Sequence, residues 1–312
     1  MTPTSVHTFV AQRHAPQATL YLLLDPLAGC ADGDPLQIEA LQQALGDKAV
    51  TRIPRPDLAY SPHDCPVLVA LATPGESPSS RWLKLSALRA QADHARQKYY
   101  VCGWLSSTAS TEALVTHLLA LGQFPEQQNN TFYPVHEPLR LELLAATFNN
   151  GEKAPSSPVE HWLFPNSSGS SSVLSAGPAP AHTTTLQATL LQRDLALIAG
   201  LLSSWRRALD LRLTYAPSRW KGPSPLPPHA ALHAFNMIQH ARSLGLSDPH
   251  DIQVLALFRV TVHPRLHAHV TVRDLIKNTV ERQESLGKVL TVYKDSAWER
   301  VVSDLYFAGE PL

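Results

Sequence analysis

Fifteen histidines among 312 residues are the first hint of chemistry in this chain. His263, His267 and His269 are close in sequence, and His229, His233 and His240 lie along one predicted helix. An i, i+4 pair of imidazoles can reach one metal ion. Neither group carries the carboxylate of an H-E-x-x-H motif, and no cysteine lies nearby. A metal scaffold on His263, His267 and His269 therefore stands beside a plainer reading as surface and cap residues. Asp25 ends the first predicted strand, where α/β folds place ligand residues. An aspartate pair for phosphoryl transfer would need a second acid two positions on, and Leu27 stands there. Asp32, Asp34 and Glu39 fall short of a calcium loop, because Leu36 or Gln37 occupies the position that needs glycine or an acid. Ser106, Ser107 and Thr108, between a strand and a helix, could hold an anion on backbone N–H groups or simply cap the helix. No G-x-S-x-G elbow, P-loop or G-x-G-x-x-G fingerprint is present. The enzyme arrangement that remains is a strand-end set of Asp25, Ser106 and His136, suited to a hydrolase or transferase. No constellation by itself calls for a catalytic group, a cofactor or a bound metal.

The elements that must position these residues change character along the chain. Apolar runs predict strands over 19–24, 66–72, 99–105 and 159–164, with a further strand over 132–135. Helical patterns fall between them at 35–45, 79–97, 111–121 and 138–148. Such alternation predicts an α/β lobe over residues 1–165, built on a mostly parallel sheet with flanking helices. Residues 166–185 are rich in Ser, Gly, Pro and Thr and read as a flexible linker. Beyond it, Leu191, Leu195, Ile198, Leu202, Trp205 and Leu209 follow the spacing of one amphipathic helix. Ser247-Asp248-Pro249 is a helix start with a polar cap and proline in the first turn. Residues 255–262 suit either a strand or a helix. The region 186–312 is read as an all-α helical bundle. Trp162 and Trp205 sit on apolar faces and are assigned to the core.

Composition narrows the class further. Hydrophobic residues make up 44% and charged residues 17%, below the roughly 25% charged of an ordinary soluble domain. Twenty-six basic residues balance 26 acidic ones, so no overall basic field exists to hold nucleic acid. Residues 1–14 lack the basic and apolar regions of a signal peptide, and no apolar run reaches the roughly 20 residues of a membrane span. Cys30, Cys65 and Cys102 form no C-x-x-C pair and read as buried thiols of a reducing compartment. A cytoplasmic protein without membrane insertion is expected.

Several stretches, taken in order, resemble the adaptor chaperones of the bacterial type VI secretion system. They are Leu20-Tyr21-Leu22-Leu23-Leu24-Asp25, the proline-led strand from Cys65 to Leu71, and Gly103-Trp104-Leu105-Ser106-Ser107 with the helix carrying His117-Leu118. Phe132-Tyr133, Glu137-Pro138-Leu139-Arg140-Leu141 and Trp162-Leu163-Phe164-Pro165 continue the series. The resemblance covers residues 18–165 and extends more loosely over 241–257. It departs from the family where Glu137 replaces an aspartate and where no arginine precedes Phe132. The resemblance implies a non-enzymatic protein that binds one cognate toxin effector and helps load it onto a spike protein of the secretion apparatus. Tyr133, His136 and Arg140 fall within its motifs and are assigned to partner contact. Trp220, with Arg219 and Lys221 in a proline-rich loop, is the other contact candidate, since Trp and Arg are enriched at binding hot spots. Packing of Trp220 against adjacent helices is the competing assignment.

Overall fold

The structure, a computed structural model, describes residues 2–94, 96, 98–125, 130–148, 153–154, 157–177, 186–211, 215–216, 219–282 and 284–307. The chain divides into two compact units, Met1–Gln192 and Arg193–Leu312.

The first unit is a mixed α/β structure. In chain order it runs α1 (Pro3–Arg13), β1 (Thr19–Leu24), α2 (Ile38–Leu45), β2 (Val50–Arg52), β3 (Val67–Ala72), α3 (Ser80–Asp93), β4 (Val101–Ser107), α4 (Thr111–Leu121), β5 (Gln123–Pro125), β6 (Asn130–Phe132), α5 (Pro138–Ala145), β7 (Lys153–Ala154), β8 (His161–Pro165), β9 (Ser171–Ala176) and α6 (Leu186–Arg193). Seven strands form one sheet in the order β2-β3-β1-β4-β8-β9-β7. Strand direction corrects the sequence expectation of a mostly parallel sheet. Every pairing is antiparallel except β7 with β9. The physical reason lies in the burial of both faces. Leu20, Leu22 and Leu24 pack with Val6, Phe9, Trp82 and Trp104 on one side of the sheet. Tyr21 and Leu23 pack with Leu105, Leu118, Leu141 and Trp162 on the other. A strand covered on both faces is apolar throughout, which is the usual mark of a parallel sheet. Apolar runs therefore locate such strands without giving their direction.

The serine-rich stretch is a second correction. Residues 166–177 are ordered as a turn followed by β9, and residues 178–185 of the expected linker lie outside the described residues. The backbone of β9 is satisfied by β8, and its Leu174 is buried against the Trp162 core. The turn is fixed by side chains: Glu142 accepts both the N–H and the hydroxyl of Ser167 at 2.7 Å. Short polar side chains thus close a hairpin here. Three elements shift as well. The strand expected over 132–135 is instead β6, paired with β5 in a separate two-stranded sheet. α1 forms where no element was expected, its Pro3 in the first turn behind the Thr2 cap, and it buries Val6 and Phe9. α6 lies mostly within the first unit, which moves the boundary from residue 186 to Arg193.

The regular elements described in the second unit are helices: α7 (Leu195–Asp210), α8 (Ala230–Ser243), α9 (Pro249–Thr261), α10 (Val270–Arg282), α11 (Leu286–Thr291) and α12 (Asp295–Phe307). α7, α8 and α9 pack on one another. The single helix expected from Leu191 to Leu209 is broken at Asp194. Its carboxylate is nearly buried and takes a fork from Arg242 of α8 at 2.5 and 2.8 Å, plus Gln239 Nε2 at 2.6 Å. A buried charge is tolerated when it is bonded in this way. As expected, Asp248 caps α9, accepting from the N–H groups of His250 and Asp251. The ambiguous stretch 255–262 belongs to that helix up to Thr261. Among the described residues, no helix is long and apolar enough to cross a membrane.

Candidate functional site

The end of β1 opens into a cluster of charged residues. Asp25 follows the last buried leucine of the strand, and its backbone N–H bonds the Tyr100 carbonyl at 2.8 Å, just before β4 begins. Its side chain accepts from the Leu27 N–H at 3.0 Å and is 1% exposed. His136, also buried, places Nε2 3.8 Å from Asp25 Oδ2, an ion-pair distance that is too long for a hydrogen bond. Burial pushes the Asp25 carboxyl up, but His136, the Leu27 N–H and the Lys98 charge outweigh it and hold the group below its ordinary value.

Around this pair the charges are matched. Arg55, 6% exposed, forks onto Asp57 at 3.1 and 2.7 Å and lies 5.7 Å from the Phe132 ring centroid. Burial lowers the affinity of Arg55 for its proton, but Asp57, Asp25 and Glu137 together raise it. Glu137 takes Lys98 at 3.7 Å and Arg140 at 3.1 Å. Arg140 sits over the Tyr133 ring at 5.3 Å and reaches both oxygens of Gln192, whose amide returns a bond to the Arg140 carbonyl. Three carboxylates, Asp25, Asp57 and Glu137, thus face three permanent cations, Arg55, Lys98 and Arg140. Pro138 starts α5 immediately after Glu137, so the helix start fixes this rim. The arrangement pairs its charges with one another and sets guanidinium groups over the Phe132 and Tyr133 rings. Cys102 lies fully buried beside it, its thiol pushed well up by burial and by the nearby acids.

Asp25 and His136 do meet, but Ser106 does not join them. On β4, Val101 pairs with Leu24, whereas Ser106 pairs with Leu20 and with His161 on the other side. Five residues of strand put Ser106 about 17 Å away. It is fully buried there, with Oγ 3.1 Å from His14 Nδ1. The three-residue hydrolase or transferase site is therefore not assembled.

The second contact candidate folds onto its own loop. Trp220 donates from Nε1 to the Ser224 carbonyl at 2.9 Å. Its ring lies over Gly222, leaving no room for a Cβ there. Both Trp220 and Arg219 are half-buried, Arg219 bonds the Leu211 carbonyl, and Lys221 is exposed. The histidines weighed as a metal set, His263, His267 and His269, point to different neighbours. His263 accepts from the Arg265 N–H and meets Tyr306 edge-on, His269 faces Asp304 at 3.3 Å, and His267 meets His240. Among the described residues, no group of three or more His, Cys, Asp or Glu is placed to hold a metal ion.

Sequence reasoning missed Arg55, Asp57 and Lys98. The tripeptide Arg55-Pro56-Asp57 was the available signal, because a proline turn brings an i, i+2 acid and base together. No protein-family model, curated protein or solved structure matches the chain, so the resemblance to the secretion adaptors rests on the motif residues alone.

Proposed function

We propose that the protein is a cytoplasmic adaptor chaperone that binds a cognate type VI secretion toxin effector and helps load it onto the secretion spike. One observation supports this reading above the others. Segments that resemble the family's motifs, the end of β1 at Asp25 and the stretch from Phe132 to Arg140, converge on a single ionic cluster. The charges there are spent on one another, and what they fix is the pose of two aromatic rings at a helix start. That is the design of a supporting platform, in which rigid positioning lowers the entropy cost of binding. In this reading Trp220 and Lys221 supply a separate contact on the helical unit.

The test is co-expression of the full chain with the toxin encoded beside it, followed by size-exclusion chromatography with light scattering. The expected result is a one-to-one complex, with an interface of roughly 1,200–2,000 Å² or more. Trp220→Ala, at a half-exposed position, is expected to weaken that complex by about 2 kcal/mol without unfolding the chain. Separate elution of chain and toxin at micromolar concentration would overturn the reading.

A further inference from the structure

The helical unit carries a buried cation with no counter-charge. Arg259 on α9 is 7% exposed; its Nε donates to the Pro264 carbonyl at 2.9 Å, and its Nη1 is buried without a hydrogen-bond partner. Buried guanidinium groups ordinarily face a carboxylate, because an unpaired interior charge is strongly destabilising. Here burial alone sets the Arg259 environment, and its charge is felt by imidazoles: His233 and His240 of α8 and His267 of the turn 266–268. His240 and His267 meet edge to face, with ring centroids 4.3 Å apart. His267 Nδ1 is a second buried polar atom without a partner. Exposure rises across the group, from buried Arg259 through half-buried His240 and His267 to exposed His233. The nearby acid Asp304 is already engaged by His269.

We propose that Arg259, His240 and His267 form a binding site for an oxyanion, a phosphate or carboxylate group, with the guanidinium Nη1 and imidazole N–H groups as donors. Such a group brings the acceptors that both orphaned atoms lack, and guanidinium is the cation best shaped to grip it. Burial and the Arg259 charge hold His267 down at about 4, and an anion bound at the guanidinium would oppose both by favouring the protonated ring. This site does not rest on the adaptor reading. Free or ligand-borne phosphate and the carboxylate of an acidic side chain share the required chemistry, and the experiment separates them.

The full chain is titrated with inorganic phosphate and, separately, with acetate, against sodium chloride at equal ionic strength. Thermal unfolding and the imidazole proton resonances are followed together. One anion is expected to raise Tm and to move the His267 titration midpoint upward by at least one pH unit. A response to phosphate alone assigns the site to phosphate-bearing ligands, and a response to acetate assigns it to carboxylates. Arg259→Met is expected to weaken binding roughly 10- to 100-fold, the worth of a charge-assisted hydrogen bond. Should that variant fail to fold, His267→Gln keeps the size of the side chain and must still weaken binding. His229→Gln, at the exposed start of α8, is the control and leaves binding unchanged. The proposal is overturned if neither anion shifts Tm or the His267 midpoint beyond the chloride effect.

Discussion

Acidification should destabilise the helical unit through His267, by an amount the structure sets. Its ring is held at about 4 in the fold, against 6.5 for a free imidazole, by burial first, then by Arg259 and His240. The unfolded chain therefore takes up the proton first as pH falls, and folding stability present at neutral pH drains away between 6.5 and 4. A difference of about 2.5 units at 1.36 kcal/mol each gives a ceiling of about 3.4 kcal/mol. The ring is only partly buried, so solvent screening reduces this to about half. Of that half, about 1 kcal/mol falls between pH 7 and pH 5. Burial holds His233, His240 and His263 down as well, which adds slope of the same sign. The perturbation is His267→Leu, which keeps a side chain beside His240 and removes the titrating group. Urea unfolding followed by circular dichroism at the two pH values should show the unsubstituted chain losing about 1 kcal/mol more than the variant. Equal losses in both proteins, or a His267 resonance titrating near 6, would refute the reasoning.

Two further substitutions probe the α/β unit. Gly103→Ala would place a Cβ 2.5 Å from the Leu163 carbonyl and 2.6 Å from Trp162 Nε1, where β4 meets β8. Overpacking of this kind should cost about 3 kcal/mol, read as a lower urea midpoint, and an unchanged midpoint would show that the strands can move apart. Asp25→Asn removes a buried carboxylate that accepts from the Leu27 N–H and faces His136, and should cost about 2 kcal/mol at pH 7. Because the folded Asp25 lies below its ordinary 3.8, that stabilisation is present above 3.8 and fades as pH falls below it. Variant and parent should thus converge in stability in strong acid, and a gap that persists there would locate the cost in shape instead of charge.

The candidate site was partly legible in the sequence. Asp25 stood out as the residue ending an apolar run, and His136 and Arg140 entered through the stretches that resemble the adaptor family. That the first two meet, and that Ser106 lies at the far end of β4, follows from strand register, which no local pattern encodes. Arg55-Pro56-Asp57 signals only its own pairing, and nothing local to Lys98 shows that it would face Glu137. Arg259 was equally silent. An arginine on the face of a helix reads as a solvated charge, and only the packing of neighbouring elements turns it into a buried one.

What the chain's own residues determined is the position of elements and their caps. α4 occupies the expected residues 111–121, with Ser110 capping it, because apolar spacing and a polar start are local properties. The division into an α/β part and a helical part likewise follows from periodicity that changes along the sequence. Tertiary structure decided the rest. Sheet direction was hidden because both faces are covered, and β9 was hidden because its polar residues pair with β8, Ser175 with His161 among them. The balance of the ionic cluster around Asp25, and the lack of balance around Arg259, depend on which charges the fold brings within a few ångströms. Coulomb energy falls with distance in space, and sequence separation does not set that distance.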